Sequence, residues 1–472
     1  MAKRTPLSTI KKYRWQELGL LIIPFIVFLI AMTQLLLARS VRAGVIPTSS
    51  LSSKNLPTIQ GLIPVLGIIV FLFLINFLLS FTFPSADQVL LPLVGLLSGI
   101  GVLMALRIGP NLFPPDPTLG TRQLIWVVIG LAAFLITLFG LRRIEWLKNT
   151  YYLWAILGII MVGITLVHSF RANLNSPTHD QLNIGPLNLQ PSELLKIFLV
   201  IFFAAYLSNN IDEFAGDAFR IGSLRLPFLP PAKILVTLLI MLGLSLVLFL
   251  GIRELGLALL IYGIFLCMMY LGSGNILYAV SGLVFFVILG FIGYTLFGYV
   301  RARFDVLGFN VVNWQNWSPS DQNFAQNGGL QIVQGLIALS SGGIIGAGIG
   351  LGHPTFVPVV QSDMIFTALG EELGLAGVFA IIGIYLLIIY RGYRIAMETT
   401  DTFSKLLAAG LTSIFAIQSI IIIAGNMKIL PLTGIPLPFL SYGGSSIIAN
   451  YISVGILLRI SYNTARERAG LA

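Results

Sequence analysis

Charged side chains at the edges of long apolar runs are the first chemistry this sequence offers. A charge in hydrocarbon costs about 2.5–3.5 kcal/mol on insertion scales, so each one needs a reason. Gln190-Pro191-Ser192-Glu193-Leu194-Leu195-Lys196 opens one such run. Spacing i, i+3 puts Glu193 and Lys196 on one helical face, where they can pair. Pro191 suits a first helical turn, where a missing N–H costs nothing. A self-paired helix start accounts for this pattern as well as a substrate-facing one does. Arg253-Glu254-Leu255-Gly256 begins another run, and interfacial anchoring is its plain explanation. Asp363 stands just before a run from 364, with Glu371 and Glu372 two turns further in. Adjacent carboxylates in an apolar helix need cations, partners or protonation. They also point in different directions, and Gly374 and Gly377 offer a break behind them. Arg122, Glu193, Lys196, Arg253, Glu254, Asp363 and Glu371 predict an outward-facing polar lining, suited to an amphiphile bearing phosphate or sugar.

The elements that must hold this lining are membrane helices. The chain has 472 residues, 57% of them hydrophobic and 10% charged, with a mean hydropathy of +0.93. Soluble domains run to about 45–50% apolar and about 25% charged. The composition therefore predicts an all-α polytopic membrane protein and excludes a soluble enzyme. Gly at 48 positions suits helices packed closely in a bilayer. A single cysteine, Cys267, precludes an intramolecular disulfide, and with three histidines it argues against a zinc or iron–sulfur site. The net charge of +10 sits mostly at the ends of apolar runs, so it speaks for membrane orientation and against nucleic acid.

Twelve spans are predicted: 17–38, 61–83, 88–107, 123–141, 150–168, 192–208, 232–250, 254–271, 275–298, 364–391, 404–425 and 444–461. The first follows a basic tail at 1–16, yet is too long for a signal-peptide core, so an uncleaved helix is expected. With the N-terminus inside, inner segments hold seventeen Lys and Arg and outer ones ten, which predicts both termini in the cytoplasm. The expected organisation is a basic tail at 1–16, two N-terminal helices in 17–83, a transmembrane core over 84–462 and a cytoplasmic tail at 463–472. One long outer loop, about 299–363, carries Trp314, Trp317 and a polar stretch from Ser318 to Gln331. Long ordered loops are usually functional. Within it, Gly329–Leu351 reads as a re-entrant or surface helix.

Three segments carry a resemblance. Gln190-Pro191-Ser192-Glu193 with Lys196 is the first. Ser362-Asp363-Met364-Ile365-Phe366, followed by Gly370-Glu371-Glu372-Leu373-Gly374, is the second. The third is Pro431-Leu432-Thr433-Gly434-Ile435-Pro436-Leu437-Pro438-Phe439-Leu440-Ser441-Tyr442-Gly443-Gly444-Ser445-Ser446. In this order they resemble the SEDS family (shape, elongation, division and sporulation) of FtsW/RodA/SpoVE-like proteins. Arg122-Gln123 with Trp126, and Gln331-Ile332-Val333-Gln334, add weaker support. The similarity runs from about Ala86 to Ile460 and leaves the first two spans outside a ten-helix core. The chain departs from the family where Arg253-Glu254 stands for a Pro-Asp pair and Gln361 for a His. Its loop segment Gln315-Asn316-Trp317-Ser318-Pro319 differs from the usual Asn-Pro-Trp and is followed by an expanded stretch.

The resemblance implies a peptidoglycan glycosyltransferase of the bacterial cytoplasmic membrane. It would polymerise lipid II at the outer face, with inversion and release of undecaprenyl pyrophosphate, beside a class B penicillin-binding protein transpeptidase among membrane lipids. A divalent cation, Mg or Mn, is implied too. A sugar hydroxyl is a poor nucleophile, so a carboxylate base is required. The leaving diphosphate needs positive charge. By resemblance the base is Asp321, four residues after Trp317; Asp305 is the other loop carboxylate, and a local pair with Arg301 or Arg303 accounts for it. Lys196, Arg253 and Arg122 are expected at the diphosphate, with Glu193, Glu254 and Asp363 in the same lining. Pro431–Ser446 should shape the cavity mouth, its irregular backbone tolerable only if buried in protein or facing water. Ser445 and Ser446 either bond substrate or cap the last helix. A lipid flippase and a non-catalytic scaffold that recruits a transpeptidase are the competing readings.

Overall fold

The computed structural model describes residues 13–42, 59–171, 182–184, 187–210, 219–221, 224–226, isolated positions between 231 and 244, 254–312 and 314–470. Its helices are α1 (Trp15–Arg42), α2 (Ile59–Thr82), α3 (Leu90–Ile108), α4 (Leu119–Gly140), the short α5 (Glu145–Asn149), α6 (Tyr151–Arg171) and α7 (Pro191–Asn209). After these come α8 (Leu255–Ser273), α9 (Ile276–Leu296), α10 (Gly298–Gly308), α11 (Pro319–Gln326), α12 (Leu330–Ser341), α13 (Ile365–Glu398), α14 (Thr402–Asn426) and α15 (Gly444–Arg468). Two three-residue antiparallel ladders, Leu182–Ile184 with Leu187–Leu189 and Phe219–Ile221 with Leu224–Leu226, are the only strands among the described residues.

The protein is a polytopic helical membrane protein. Ten described helices are long and apolar enough to cross a bilayer: α1–α4, α7–α9 and α13–α15. The span expected at 150–168 is α6, a 21-residue apolar helix. The span expected at 232–250 lies outside the described residues.

Helices here associate by close fit rather than by water exclusion, and small residues make the fit. A Cβ on Gly130 of α4 would stand 2.6 Å from the ring of Tyr451 on α15, and one on Gly392 of α13 would stand 2.2 Å from Thr412 on α14. By contrast α9 leaves Leu283, Val284, Val287, Ile288 and Phe291 exposed, as a lipid-facing helix should.

The stretch after residue 329 is no further span. Helix α12 has 12 residues and rises about 18 Å, too little to cross. It packs on α13, which breaks at Gly374 (φ 67°, ψ −170°). The break frees backbone groups that lipid would not satisfy. The Gly343–Gly348 turn takes them up. Leu375 N–H donates to Gly343 O (2.9 Å) and Ala376 N–H to Ile344 O (3.1 Å). Ala347 and Gly348 N–H donate to Glu371 O (2.9 Å) and Glu372 O (3.0 Å). The break suggested by Gly374 and Gly377 therefore occurs at Gly374 alone.

One face of the bundle gathers the start of α1 and the end of α15. Arg14 donates to Asp87 O, Asp87 N–H to Ser461 Oγ (3.0 Å), and Arg468 to Glu398 O (2.7 Å). Helix α14 runs from this side, at Asp401, to Asn426 at the other. There Asn426 meets Asp363 and Lys428 meets Phe309.

Candidate active site

The third motif is the hub of that second face. Residues 431–442 have no regular structure and are mostly buried, so their carbonyls need partners. Side chains from helices all round supply them. Arg303 on α10 donates to Leu432 O (3.3 Å) and Thr433 O (3.4 Å). Gln418 on α14 donates to Pro436 O (2.7 Å), Tyr385 on α13 to Pro438 O (2.5 Å), and Gln123 on α4 to Ser441 O (3.1 Å). Ser441 Oγ accepts from Leu437 N–H (2.7 Å), and Tyr442 N–H donates to Gln361 O (2.8 Å). Two glycines let other helices approach: a Cβ on Gly101 would lie 2.5 Å from Leu440 O, and one on Gly256 would lie 2.6 Å from Thr433 O. Of the two settings open to such an irregular backbone, buried in protein or facing water, residues 431–442 take mostly the first.

Asp321 lies on this face, on α11. Its helix starts with a reciprocal capping box: Ser318 Oγ accepts from Asp321 N–H (3.2 Å), and Ser318 N–H donates to Asp321 Oδ2 (3.0 Å). The Ser318 hydroxyl also donates to Oδ2 (2.7 Å). These hydrogen bonds, the side-chain one foremost, hold the carboxyl below its ordinary value. Both go to Oδ2, which leaves Oδ1 for another partner. The loop around it is anchored by aromatic contacts, with Phe309 against Trp317 (5.0 Å between centroids) and Phe324 (5.1 Å). Trp317 Nε1 donates to Asn310 O (2.8 Å), and Lys428 donates to Phe309 O.

Asp363 is a buried carboxylate, 8% exposed. Gln331 Nε2 bridges its two oxygens (3.2 Å each), and Asn426 Nδ2 holds its backbone carbonyl (2.8 Å). Burial raises its pKa to about 6, opposed by hydrogen bonds from its own backbone N–H and from Gln331 and by the charge of Arg303.

The other expected residues divide. Glu193 and Lys196 pair at 2.7 Å, and Lys196 also donates to Gln418 Oε1 (2.8 Å). They are 4% and 1% exposed, so the geometry is that of a structural tie from α7 to α14 and the hub. Nothing in it points Lys196 at a solvent-reached diphosphate. Arg122 pairs with Asp116 and keeps 42% of its side chain exposed; it is the described cation of the expected set that an anion can reach. Arg253 lies outside the described residues, and Glu254 stands at the N-cap position of α8. Ser445 and Ser446 do not cap α15, whose N-cap is Gly443. Ser445 Oγ instead accepts from Gln190 N–H (2.9 Å), and Ser446 Oγ from Asn450 (3.3 Å). Both residues are buried in α15's first turn, where Ser445 ties to the start of α7 and Ser446 to the next turn of its own helix.

Glu371 and Glu372 do point apart. Glu372 pairs with Arg107 (2.8 Å) and takes Gly350 N–H (3.2 Å); Glu371 takes His353 N–H (2.5 Å). Arg107, Arg303, Gln331 and Asn426 are the groups that residue-level reading undervalued. Arg303 is not used up on Asp305 but reaches the hub. The available signal was Gln331 in its motif-like quartet; the others look like ordinary helix-end residues until tertiary contacts are known.

A family model described as "cell cycle protein" and covering FtsW, RodA and SpoVE matches residues 87–466. The peptidoglycan glycosyltransferase RodA of Mycobacterium bovis is 34% identical over 391 residues, 81% of this chain and 79% of that protein. The probable peptidoglycan glycosyltransferase FtsW of Trichlorobacter lovleyi is 30% identical over 391 residues, 81% of this chain and 94% of that protein. Among solved structures, a chain from a peptidoglycan synthase complex that coordinates polymerization and crosslinking superposes with TM-score 0.60 at 20% identity, covering 80% of this chain and 98% of its own. Thermus thermophilus RodA superposes with TM-score 0.52 at 21% identity, covering 80% and 97%.

Proposed function

Because this chain belongs to the FtsW/RodA/SpoVE family, we infer that it is a peptidoglycan glycosyltransferase that polymerises lipid II at the outer face of the cytoplasmic membrane. The observation that carries the site assignment is the convergence of Asp321, Asp363, Arg303 and the 431–442 hub on the face opposite both described chain ends. The charge bias places those ends in the cytoplasm. The site then faces outward, where glycan strands are built.

The reaction joins an attacking sugar hydroxyl to an anomeric carbon while the lipid diphosphate departs. An α-linked donor and a β-linked product mean one inverting displacement, which needs one base and no covalent intermediate. Two carboxylates compete for that role. Asp363, near 6, has the better-matched basicity. However, it is almost wholly buried behind Gln331, and a base must reach the proton it takes. Asp321 is accessible, and a substrate hydroxyl that displaces Ser318 from Oδ2 would relieve the bonds that depress its basicity. Geometry comes first, so Asp321 is the base and Asp363 holds the floor of the site. Arg122 supplies reachable positive charge for the diphosphate.

Among the described residues no three His, Cys, Asp or Glu side chains converge, so there is no protein cage for a metal. Mg²⁺ and similar ions need only one or two carboxylates when substrate phosphates complete the shell. Asp321 Oδ1 fits as such a donor for Mg or Mn. A cation there would neutralise charge on the diphosphate.

A class B penicillin-binding protein is the partner we propose, because the relative in the synthase complex works in an assembly that coordinates polymerization with crosslinking. The deciding experiment uses detergent-solubilised protein, lipid II and Mg²⁺ or Mn²⁺. Glycan strands should form without a second compartment, which no flippase explains. Asp321→Ala should abolish them while the protein stays folded; strands of normal length and rate in that variant would remove Asp321 from the reaction.

A further inference from the structure

The family match begins at residue 87, so α1 and α2 lie outside it. They are nevertheless fitted to the core at three heights. At the face of the chain ends Arg14, fully buried, donates to Phe83 O (2.8 Å), Ala86 O (3.0 Å), Asp87 O and the Glu17 carboxylate. Asn76 of α2 donates to the same carboxylate (2.9 Å). In mid-bundle the ring of Phe28 occupies the place of a side chain on Gly99, where a Cβ would lie 1.9 Å from Cζ, and Leu72 of α2 does the same at Gly95 (2.9 Å). At the outer face Leu35 and Ala38 stand over Gly350, where a Cβ would lie 2.7 Å from Ala38 Cβ, and Gln34 stands beside Gly348. Arg39 donates to Leu106 O, one residue from Arg107.

A hairpin that served only as a lipid anchor would need one apolar stripe. Three separated seats, one of them a buried guanidinium, instead set both the height and the rotation of α1. What the upper seat touches gives this a purpose. Gly348 (φ 97°) belongs to the turn that stitches the Gly374 break, and Gly350 (φ 89°) follows it two residues on. Gly350 N–H and Arg107 hold the two oxygens of Glu372. Beyond Glu372 the half-helix Ile365–Leu373 leads back to Asp363, and a Cβ on Gly335 of α12 would stand 2.4 Å from Met364. We propose that α1 is a brace that positions the Gly343–Gly352 turn, and through Glu372 the half-helix carrying the floor of the catalytic site. Leu35, Ala38 and Arg39 are positioning residues for polymerisation.

The proposal takes its activity readout from the polymerase reading, so the test has an arm that does not depend on it. Full-chain Ala38→Trp drives a ring into Gly350. Ile30→Trp, on the lipid-facing side of the same helix, is the control. Amide hydrogen exchange across 343–353 should accelerate in the first and not in the second. The strand-forming rate at saturating lipid II should fall about tenfold in Ala38→Trp, because small misplacements of a supporting element are costly. The half-saturating lipid II concentration should stay unchanged, and Ala38→Ser should restore the rate. If Ala38→Trp does not fold, Ala38→Val is read by the same measurements. Unchanged exchange in the turn overturns the brace, and so does accelerated exchange with an unaltered rate. Failure of the polymerase reading itself shows separately, as absence of strands from the unsubstituted chain.

Discussion

At the scale of single residues, the two carboxylates of the proposed site are pushed in opposite directions. Asp321 is held low by Ser318, and Asp363 is raised by burial from 3.8 to about 6. The raised group has a definite stability signature. Below pH 3.8 Asp363 is protonated in both folded and unfolded chains, and its full contribution is present. As pH rises, the unfolded chain ionises first, and stability is lost until the folded carboxyl ionises too, near 6. The loss is about 3 kcal/mol across that window. Asp363→Asn should flatten the melting temperature between pH 4 and pH 6; a slope as steep as that of the unsubstituted protein would show that another group titrates there. The pairing of Glu193 with Lys196 was legible from their i, i+3 spacing. That the pair would be buried and tied to Gln418 was not, because a residue 222 positions away supplies the third group.

Helices and their interruptions form the next scale. Spans were readable because hydropathy and length alone decide whether a helix can cross a bilayer. The break at Gly374 was visible as a glycine behind two carboxylates. Its repair was not, since the Gly343–Gly348 turn reveals itself only when it lies against the broken helix. That repair makes a strong demand on one residue. An Ala at 374 would hold a positive φ and set its Cβ 2.3 Å from Gly346 N. Gly374→Ala should therefore cost more than the roughly 1–2 kcal/mol of the backbone conformation alone, read as a lowered melting temperature in detergent. The buried ion pair on α7 gives a contrasting case. Glu193→Ala should destabilise by about 3–5 kcal/mol, because it strands Lys196 in the interior. Replacing Glu193, Lys196 and Gln418 together by apolar residues of similar size should recover much of that, and a melting series over the single and combined variants measures it.

The molecule as a whole is polarised. Arg14, Asp87, Arg391 and Arg468 gather at one end of the bundle, while Asp321, Asp363 and Lys428 gather at the other. Charge counting over loops assigns the larger share of Lys and Arg to the side of both termini, which is the side expected in the cytoplasm. In right-side-out cells whose only cysteine is introduced in a Cys267→Ser background, a membrane-impermeant thiol reagent should label Gln326→Cys and spare Arg468→Cys. Labelling in the reverse pattern would turn the site inward and end the polymerase reading.

The irregular run from Pro431 to Tyr442 also has a temporal consequence. It receives side chains from α4, α10, α13 and α14, yet it is synthesised after all of them. Until the ribosome has made it, Gln123, Arg303, Tyr385 and Gln418 have no acceptors, and Gly101 and Gly256 face nothing. Earlier helices can enter the bilayer one by one, but they cannot settle into their final arrangement. Assembly of this protein is thus a two-stage event, with insertion first and consolidation deferred until this run has emerged.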